Sequence, residues 1–373
     1  MRLLVQPGEG VAPLINAIDS AKNTVELLIF RFDRKEIEKA LVNAAKRGVF
    51  VHALIASTNR GGENALRQLE TRLLAAGVTV ARTANDLVRY HGKYMIVDRR
   101  ELFLMSFNLT YADLERSRSF ALILKTPKLV QEAVRLFEAD TKRQPYEQPQ
   151  PGFLVSPVNA RKELAAFIAG AKKDLSIYDP KISDPAMMRL LAERAKAGVN
   201  VRVIGRMTKR IPDIQVYKLA PTRLHTRTII RDRKAVFIGS QSLRKLELDA
   251  RREVGVIVRD LRTCAALEKV FEEDWATSTK FGDSDVKVPA VKVAKKVAKV
   301  VSRELPPMAP MVESAVKELV GQSSELEIDS EELEQTVKNA VKQAVKAAVR
   351  VAVQEVVDEK AEEPVLVGGA TGK

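Results

Sequence analysis

The chain contains two copies of one pattern, and this internal repeat limits the folds open to it. The segment AAKRGVFVHALIA at 44–56 matches RAKAGVNVRVIGR at 194–206, an offset of 150 residues. In each copy an apolar strand pattern (VELLIF or LSIYD) precedes an amphipathic helix pattern, which ends at Gly48 or Gly198 before a second strand pattern. Strand–helix–strand units of this length predict two similar α/β halves with parallel strand pairing.

A second block repeats at a shorter offset. HGKYMIVD at 91–98 aligns with HTRTIIRD at 225–232, and RLFEAD at 135–140 aligns with KVFEED at 269–274, both 134 residues apart. The first copy therefore has 16 additional residues between its glycine and its histidine, within STNRGGENALRQLETRLLAAG. We expect this insertion to form a loop and a helix that overhang a site.

This second block places two of the three histidines of the chain at equivalent positions. His91 and Lys93 are two residues apart, so their side chains leave a strand on the same face, and His225 and Arg227 do likewise. The runs DRRELFLMSFN and DRKAVFIGSQS that follow predict hairpins, whose returning strands bring small polar side chains beside the histidines. These side chains belong to Ser106, Asn108, Ser240 and Ser242. Each half thus presents an imidazole, a cation and hydrogen-bonding groups.

Five other positions allow more specific interpretations. Asp98 and Asp232 stand at the two predicted turns, where aspartate is favoured, and they either form the turn or orient site residues. Arg116 and Arg118 follow the first motif closely, and they either contact a phosphate or lie on a solvated face. His52 has no counterpart in the second copy, so we interpret it as structural.

The pattern H-x-K-x4-D followed by G-S-x-N resembles the signature of the phospholipase D superfamily. Two copies in one chain are similar to its single-chain bacterial members, including cardiolipin synthase-like proteins. The resemblance implies two α/β/α halves, each a mixed sheet flanked by helices, packed as a pseudo-dimer with the active site between them. The expected ranges are 1–148 for the first half, 149–280 for the second, and 281–373 for a linker and an amphipathic, helical or partly disordered tail.

The chain departs from this signature at three motif positions. Met105 stands where the family has glycine, Arg227 replaces lysine, and Ser242 replaces asparagine. Arginine keeps the positive charge but binds phosphate through a planar fork, so the electrostatics survive and the geometry changes. Loss of one transition-state donor costs about 10²–10³ in rate, so we expect the second motif to be weakened and not silenced.

The family also has a glutamate, 28 residues after the motif histidine, that hydrogen-bonds an imidazole. Glu253 occupies this position in the second half, and Ser119 occupies it in the first. The resemblance therefore implies that Glu253 lies beside His225, where a carboxylate would favour the protonated imidazole.

The resemblance implies phosphodiester chemistry without a metal or a cofactor. His91 is implied as the nucleophile that forms a phosphohistidine, and His225 as the general acid that protonates the leaving alkoxide. Cations stabilise the phosphoryl oxygens, as a metal does in other enzymes. The implied catalytic set is His91, His225, Lys93, Arg227, Asp98, Asp232 and Glu253, and the implied phosphate-binding set is Lys93, Asn108, Arg227, Ser106, Ser240 and Ser242.

Charge bears on the substrate. The formal net charge is +14, and because residues from 283 onward hold 13 Lys+Arg and 16 Asp+Glu, the first 282 residues carry +17. Such a body attracts phosphate-bearing partners, including nucleic acid and anionic lipid headgroups. Charge does not choose among these partners, but the resemblance to bacterial cardiolipin synthase-like proteins favours a phospholipid phosphodiesterase or phosphatidyltransferase, which would contact an anionic membrane peripherally. A nuclease of the same fold and a catalytically weakened phosphate- or nucleic-acid-binding protein remain alternatives.

Composition also bears on location and assembly. The single cysteine, Cys264, excludes an intramolecular disulfide, and no Cys/His cluster predicts zinc. The start reaches Pro7 and Glu9 too early for a secretory signal, and no apolar run approaches the roughly 18 residues of a membrane span. We therefore expect a cytoplasmic protein, or one peripheral at the membrane. In the tail, valines and alanines at heptad-like spacing over 337–351 predict a helix for self-association, docking or membrane contact.

Overall fold

The computed structural model describes residues 1–57, 63–147, 149–220 and 222–280. The predicted linker and tail at 281–373 lie outside the described residues, as does the first part of the predicted insertion. Within the described ranges, no helix combines the length and apolarity needed to cross a bilayer.

The first half contains eight strands and five helices within its described residues. In chain order these are β1 (Arg2–Gln6), α1 (Ala12–Ser20), β2 (Thr24–Ile29), α2 (Lys35–Lys46), β3 (Phe50–Ile55), α3 (Glu63–Ala75), β4 (Thr79–Arg82), β5 (Arg89–Tyr90), β6 (Tyr94–Val97), β7 (Glu101–Met105), α4 (Tyr111–Glu115), β8 (Ser117–Leu124) and α5 (Pro127–Lys142).

The second half follows the same plan. Its described elements are β9 (Phe153–Val155), α6 (Ala160–Ala169), β10 (Asp174–Ile182), α7 (Pro185–Lys196), β11 (Asn200–Met207), β12 (Ile214–Lys218), β13 (Arg223–Leu224), β14 (Arg227–Arg231), β15 (Ala235–Gly239), α8 (Lys245–Asp249), β16 (Arg251–Arg252), β17 (Val254–Val258), α9 (Leu261–Thr277) and β18 (Thr279–Lys280).

Each half forms its own mixed sheet. The first has the strand order β1-β8-β7-β6-β2-β3-β4, and the second has β18-β12-β11-β10-β14-β15-β17-β9. In both, the strand–helix–strand repeat forms parallel pairs (β2 with β3, β10 with β11), while the hairpin after each histidine is antiparallel (β6 with β7, β14 with β15). The prediction of two similar α/β halves with helix-flanked mixed sheets is confirmed.

The repeat folds this way because its apolar residues match each element's period. Helix α2 buries Ile37, Ala40, Leu41 and Ala44, which recur every three or four residues and so lie on one face against the sheet. Gly48 and Gly198 both have φ of 86°, the left-handed conformation that favours glycine and ends each helix.

A shared apolar core joins the two halves. Phe120 of β8 packs edge-on against Tyr178 of β10, with ring centroids 5.4 Å apart, and Tyr178 packs in turn on Phe271 of α9 at 5.1 Å. These rings are buried in a cluster that draws residues from both sheets. The halves therefore pack as the predicted pseudo-dimer.

Asp98 and Asp232 occupy equivalent tight turns. Both have positive φ (52° and 53°), and so do the arginines that follow them. The carboxylate of Asp98 accepts hydrogen bonds from the backbone N–H groups of residues 22–24 at 2.6–3.1 Å, and Asp232 does the same for residues 172–174. Each aspartate thus binds the start of a neighbouring strand, at the end of its hairpin strand remote from the histidine. This geometry matches the turn-forming alternative and leaves no orienting role for either carboxylate.

We expect Asp98→Ala to lower the free energy of unfolding by about 1–3 kcal/mol, because three backbone N–H groups at the start of β2 lose their charged acceptor. Denaturant titration would measure the change, and Asp232→Ala is the symmetric control. A variant of unchanged stability that has lost turnover would instead place Asp98 in the active site.

Candidate active site

Both histidines are positioned in the same way, because the short strand before each histidine pairs with a strand of the other half. Strand β5 runs parallel to β16, and β13 runs parallel to β8. The backbone N–H of His91 donates to the carbonyl of Arg252 at 2.7 Å, and that of His225 donates to the carbonyl of Arg118 at 3.1 Å. The site is therefore built across the boundary between the halves, as the resemblance implied.

His91 is buried and held on several sides. Its Nδ1 lies 2.9 Å from each carboxylate oxygen of Glu253, and Lys93 Nζ lies 2.8 Å from its Nε2. Lys93 Nζ also donates to the His91 carbonyl at 2.7 Å, and the Phe30 ring packs edge-on at 4.5 Å. The expectation that Glu253 lies beside His225 is wrong, because β16 runs alongside β5 and delivers Glu253 to the histidine of the opposite half.

Burial sets the protonation of this group. Burial, with the Lys93 and Arg227 cations adding to it, holds the pKa of His91 well below its usual value. Burial also raises the pKa of Glu253 and lowers the pKa of Lys93 to about 7. A neutral His91 that donates Nδ1–H to Glu253 keeps its lone pair on Nε2. In this structure that lone pair accepts a hydrogen bond from Lys93 Nζ at 2.8 Å, so attack by Nε2 requires Lys93 to turn from the ring to a bound phosphoryl oxygen.

The sulfate affinity of the site is expected to fall as pH rises above about 7. Lys93 carries its charge only below its lowered pKa, and each lost proton removes a cation from the anion's surroundings. The decline should approach about tenfold per pH unit at most. Calorimetric titration with sulfate, whose charge is constant in this range, measures it. Lys93→Arg should remove the pH dependence, and a wild-type affinity that is flat from pH 6 to 9 would contradict the prediction.

His225 has a different carboxylate partner, which the sequence interpretation missed. Its Nε2 lies 3.2 Å from Asp113 Oδ2, and Asp113 also accepts hydrogen bonds from the backbone and side-chain amides of Asn108 and contacts the Arg223 guanidinium. Burial alone would raise the pKa of Asp113, but His225 and these other partners hold it well below its usual value. The signal was present in the repeat: Asp113 and Glu247 are equivalent at the offset of 134, each five residues after its motif Asn108 or Ser242.

Asp113→Asn is expected to lower kcat by about 10²-fold, because His225 loses its only carboxylate contact among the described residues. Ser119→Ala is the matched control, since Ser119 occupies the family's glutamate position but donates its hydroxyl to the Asp113 carbonyl instead. Steady-state kinetics of both variants decide the matter. A larger loss in the Ser119 variant would contradict the assignment.

The predicted phosphate-binding residues divide into two groups. Ser106 and Ser240 are buried, and their hydroxyls accept the N–H groups of Phe120 and Val254 at 2.9 and 3.0 Å, so they join the hairpin to the next strand. By contrast, Asn108 keeps an Oδ1 that has no hydrogen-bond partner within the described chain. Among the described residues, Asn108 therefore retains an unused acceptor oxygen, while its Nδ2 donates to Asp113 at 2.7 Å.

Arg227 is firmly placed despite replacing lysine. Its guanidinium donates to the His225 carbonyl at 2.6 Å and to the Ser242 hydroxyl at 3.2 Å. The first contact reproduces that of Lys93 with His91. Lys93 and Arg227 each lower the pKa of both histidines, which places the two cations and the two imidazoles in one electrostatic environment. The second half therefore keeps a cation at a fixed place, and Ser242 accepts a hydrogen bond from that cation.

A cleft of about 320 Å³ opens beside His225. Asn108, Asp113 and Arg31 line it, together with Leu66 of α3, the helix of the predicted insertion. The insertion thus borders a cleft at the site, as expected. No group of three or more His, Cys, Asp or Glu side chains in the described ranges is placed to hold a metal ion.

Two other sequence interpretations have structural outcomes. His52 packs between the rings of Phe50 and Phe137, with centroids 5.8 and 5.2 Å away, which fits a structural role. Arg118 was expected either to contact a phosphate or to lie on a solvated face. It does neither, because its guanidinium forms an ion pair with Asp274 at 2.8 Å.

Known proteins are similar to this chain in sequence and in fold. A family model described as "Cardiolipin synthase, PLD-like domain" matches residues 14–141 and 164–275. The mitochondrial cardiolipin hydrolase of Danio rerio is 30% identical over 130 residues, which are 34% of this chain and 56% of that protein. The chain thus spans little more than half the length of this curated relative.

Two solved structures show the same fold at low sequence identity. The polyphosphate kinase of Porphyromonas gingivalis superposes with a TM-score of 0.64 at 18% identity, over 76% of this chain and 48% of that one. The phosphatidylserine synthase of Haemophilus influenzae Rd KW20 superposes with a TM-score of 0.60 at 12% identity, over 81% and 94%. With the paired histidine motifs and the family match over both halves, the chain belongs to the cardiolipin synthase-like family of the phospholipase D superfamily.

Proposed function

We propose that this protein cleaves or exchanges a phospholipid phosphodiester through a phosphohistidine on His91. The observation that carries the proposal is the buried contact of His91 Nδ1 with Glu253 at 2.9 Å, which places the lone pair of the neutral ring on Nε2. A bound phosphate would draw Lys93 Nζ away from this lone pair and leave Nε2 as the nucleophile. Membership of the family supports phosphodiester chemistry, and the mechanism below follows from the placement of the side chains.

In the first step, His91 Nε2 attacks phosphorus, forming a P–N bond while the bond to the leaving oxygen breaks. His225, which is an imidazolium once the phosphodiester is bound, gives the proton on the ring nitrogen that does not face Asp113 to that leaving alkoxide and becomes neutral. Lys93 and Arg227 stabilise the negative charge on the non-bridging oxygens.

In the second step, His225 takes a proton from water or an alcohol, which attacks the phosphohistidine and releases His91. Water gives hydrolysis and an alcohol gives transfer. The product is a phosphate monoester or a new phosphodiester, and both histidines return to their starting states.

Both histidines are neutral in the free site near pH 7, so His225 gains its proton when the substrate binds. Burial lowers the pKa of His225 to about 4, although the nearby Asp113 carboxylate acts to raise it, and burial also holds the pKa of His91 well below its usual value. A bound phosphodiester anion raises both pKa values, because it stabilises imidazolium. The Asp113 carboxylate 3.2 Å from His225 Nε2 further stabilises the imidazolium of His225, which makes this residue the proton donor of the proposal.

Lipid is the substrate we favour. The matching family model is described as cardiolipin synthase, and the curated relative is named a cardiolipin hydrolase. The net charge of +14 suits contact with an anionic membrane surface. The same charge suits DNA or RNA, so a nuclease is the second candidate function.

The test uses the full chain with chelator present. Vesicles of phosphatidylglycerol, cardiolipin or phosphatidylcholine are incubated in parallel with labelled single- and double-stranded DNA, with His91→Ala as the control. Lipid products that the variant fails to form support the proposal, and products from DNA alone replace lipid by nucleic acid. If neither substrate reacts and no acid-labile phosphate adduct is trapped, the protein is a phosphate-binding protein.

A further inference from the structure

The repeat of RLFEAD and KVFEED ends in two buried aspartates that the mechanism above does not use. Asp140 lies near the end of α5 and Asp274 near the end of α9. Each faces an arginine of the opposite half: Asp140 Oδ1 lies 3.2 Å from Arg252 Nε, and Asp274 binds the fork of Arg118 at 2.8 and 3.0 Å. The two pairs are equivalent at the offset of 134.

Each of these arginines also holds a histidine through its backbone. The Arg252 carbonyl accepts the N–H groups of His91 and Gly92 at 2.7 and 3.0 Å. The Arg118 carbonyl accepts those of His225 and Thr226, both at 3.1 Å. In each half, therefore, one histidine and one aspartate contact the same arginine of the other half.

The surroundings restrict these arginines further. The Arg252 guanidinium lies 5.6 Å from the ring of Tyr90, the residue before His91. On the other side, the Tyr178 hydroxyl donates to Asp274 at 2.7 Å. Residue 253 follows Arg252 directly, so a shift of this arginine would move the Glu253 carboxylate as well as the carbonyl that binds His91.

We propose that Asp140 and Asp274 are positioning residues, each of which fixes the histidine of its own half by anchoring the arginine whose carbonyl binds that histidine. Asp140 acts on His91 through Arg252, and Asp274 acts on His225 through Arg118. The kinetic part of this inference rests on the proposed function, whereas the positional part does not.

The first experiment detects changes around the histidine rings and does not depend on enzymatic activity. With ¹³C-labelled histidine, the full chain gives three ring signals, from His52, His91 and His225. Asp140→Asn should shift the His91 signal and Asp274→Asn the His225 signal, while His52 stays in place. Glu273→Gln, an exposed neighbour on α9, should shift none. Equal shifts of both site histidines in each variant, or no shift, would overturn the proposal.

The second experiment uses the proposed chemistry. Asp274→Asn should lower turnover of a substrate with an alkoxide leaving group by about 10–100-fold and spare the first turnover of a p-nitrophenyl phosphodiester. Asp140→Asn should slow both alike. Loss of folding would slow both substrates in both variants, which thermal denaturation detects, and Arg118→Lys and Arg252→Lys then replace the aspartate variants. An inactive wild type with selective histidine shifts contradicts the proposed function and keeps the positional inference.

Discussion

His91→Ala is expected to lower turnover of the phosphodiester substrate by at least about 10³-fold and to remove the covalent intermediate. The variant lacks the Nε2 that attacks phosphorus, and Glu253 and Lys93 are left without their shared partner. The measurements are kcat and the yield of an acid-labile, base-stable phosphate adduct after rapid quenching.

The matched control for this experiment is His52→Ala. His52 lies on β3 between two aromatic rings, so its loss should affect stability and leave the kcat of the folded protein unchanged. A phosphate adduct of wild-type yield in His91→Ala would transfer the nucleophilic role to another residue.

His225→Ala should have a loss that depends on the leaving group. For a lipid or alkyl leaving group, which needs a proton, we expect kcat to fall by about 10²–10⁴-fold. A p-nitrophenolate leaves without protonation, so the first step survives. The second step still needs His225 as a base. The variant should therefore release about one nitrophenolate per active site in a burst, followed by slow turnover.

Rapid mixing with bis(p-nitrophenyl) phosphate tests this pattern directly. His91→Ala should give no burst, which separates the nucleophile from the acid in one assay. If His225→Ala shows no burst and His91→Ala shows one, the two roles are exchanged between the halves.

Much of this protein could be predicted from its repeat. Periodicity placed the strand–helix–strand units, glycine placed the ends of two helices, and the paired H-x-K and H-x-R motifs placed both imidazoles with their cations. These features are local, because each depends on residues close together in the chain, and so a sequence pattern contains them. The turns at Asp98 and Asp232 were also visible, although their partners at the start of β2 and β10 were not.

The carboxylate partners of the histidines could not be inferred from residues close together in the chain. Glu253 is 28 residues from His225 and 162 from His91, yet it binds His91. Asp113, which belongs to the first half, contacts His225 of the second half. Spacing along the chain favours the nearer histidine, whereas the parallel pairing of β5 with β16 and of β8 with β13 determines the actual contact.

The sequence by itself determined the two α/β halves, the position of each motif and the side chains that we propose to react, because these follow from residue type and period. Only the tertiary structure decided which carboxylate and which arginine support each histidine. Those contacts form when the two halves pack together, and the buried site then sets the protonation of His91, Lys93 and Glu253 by excluding water.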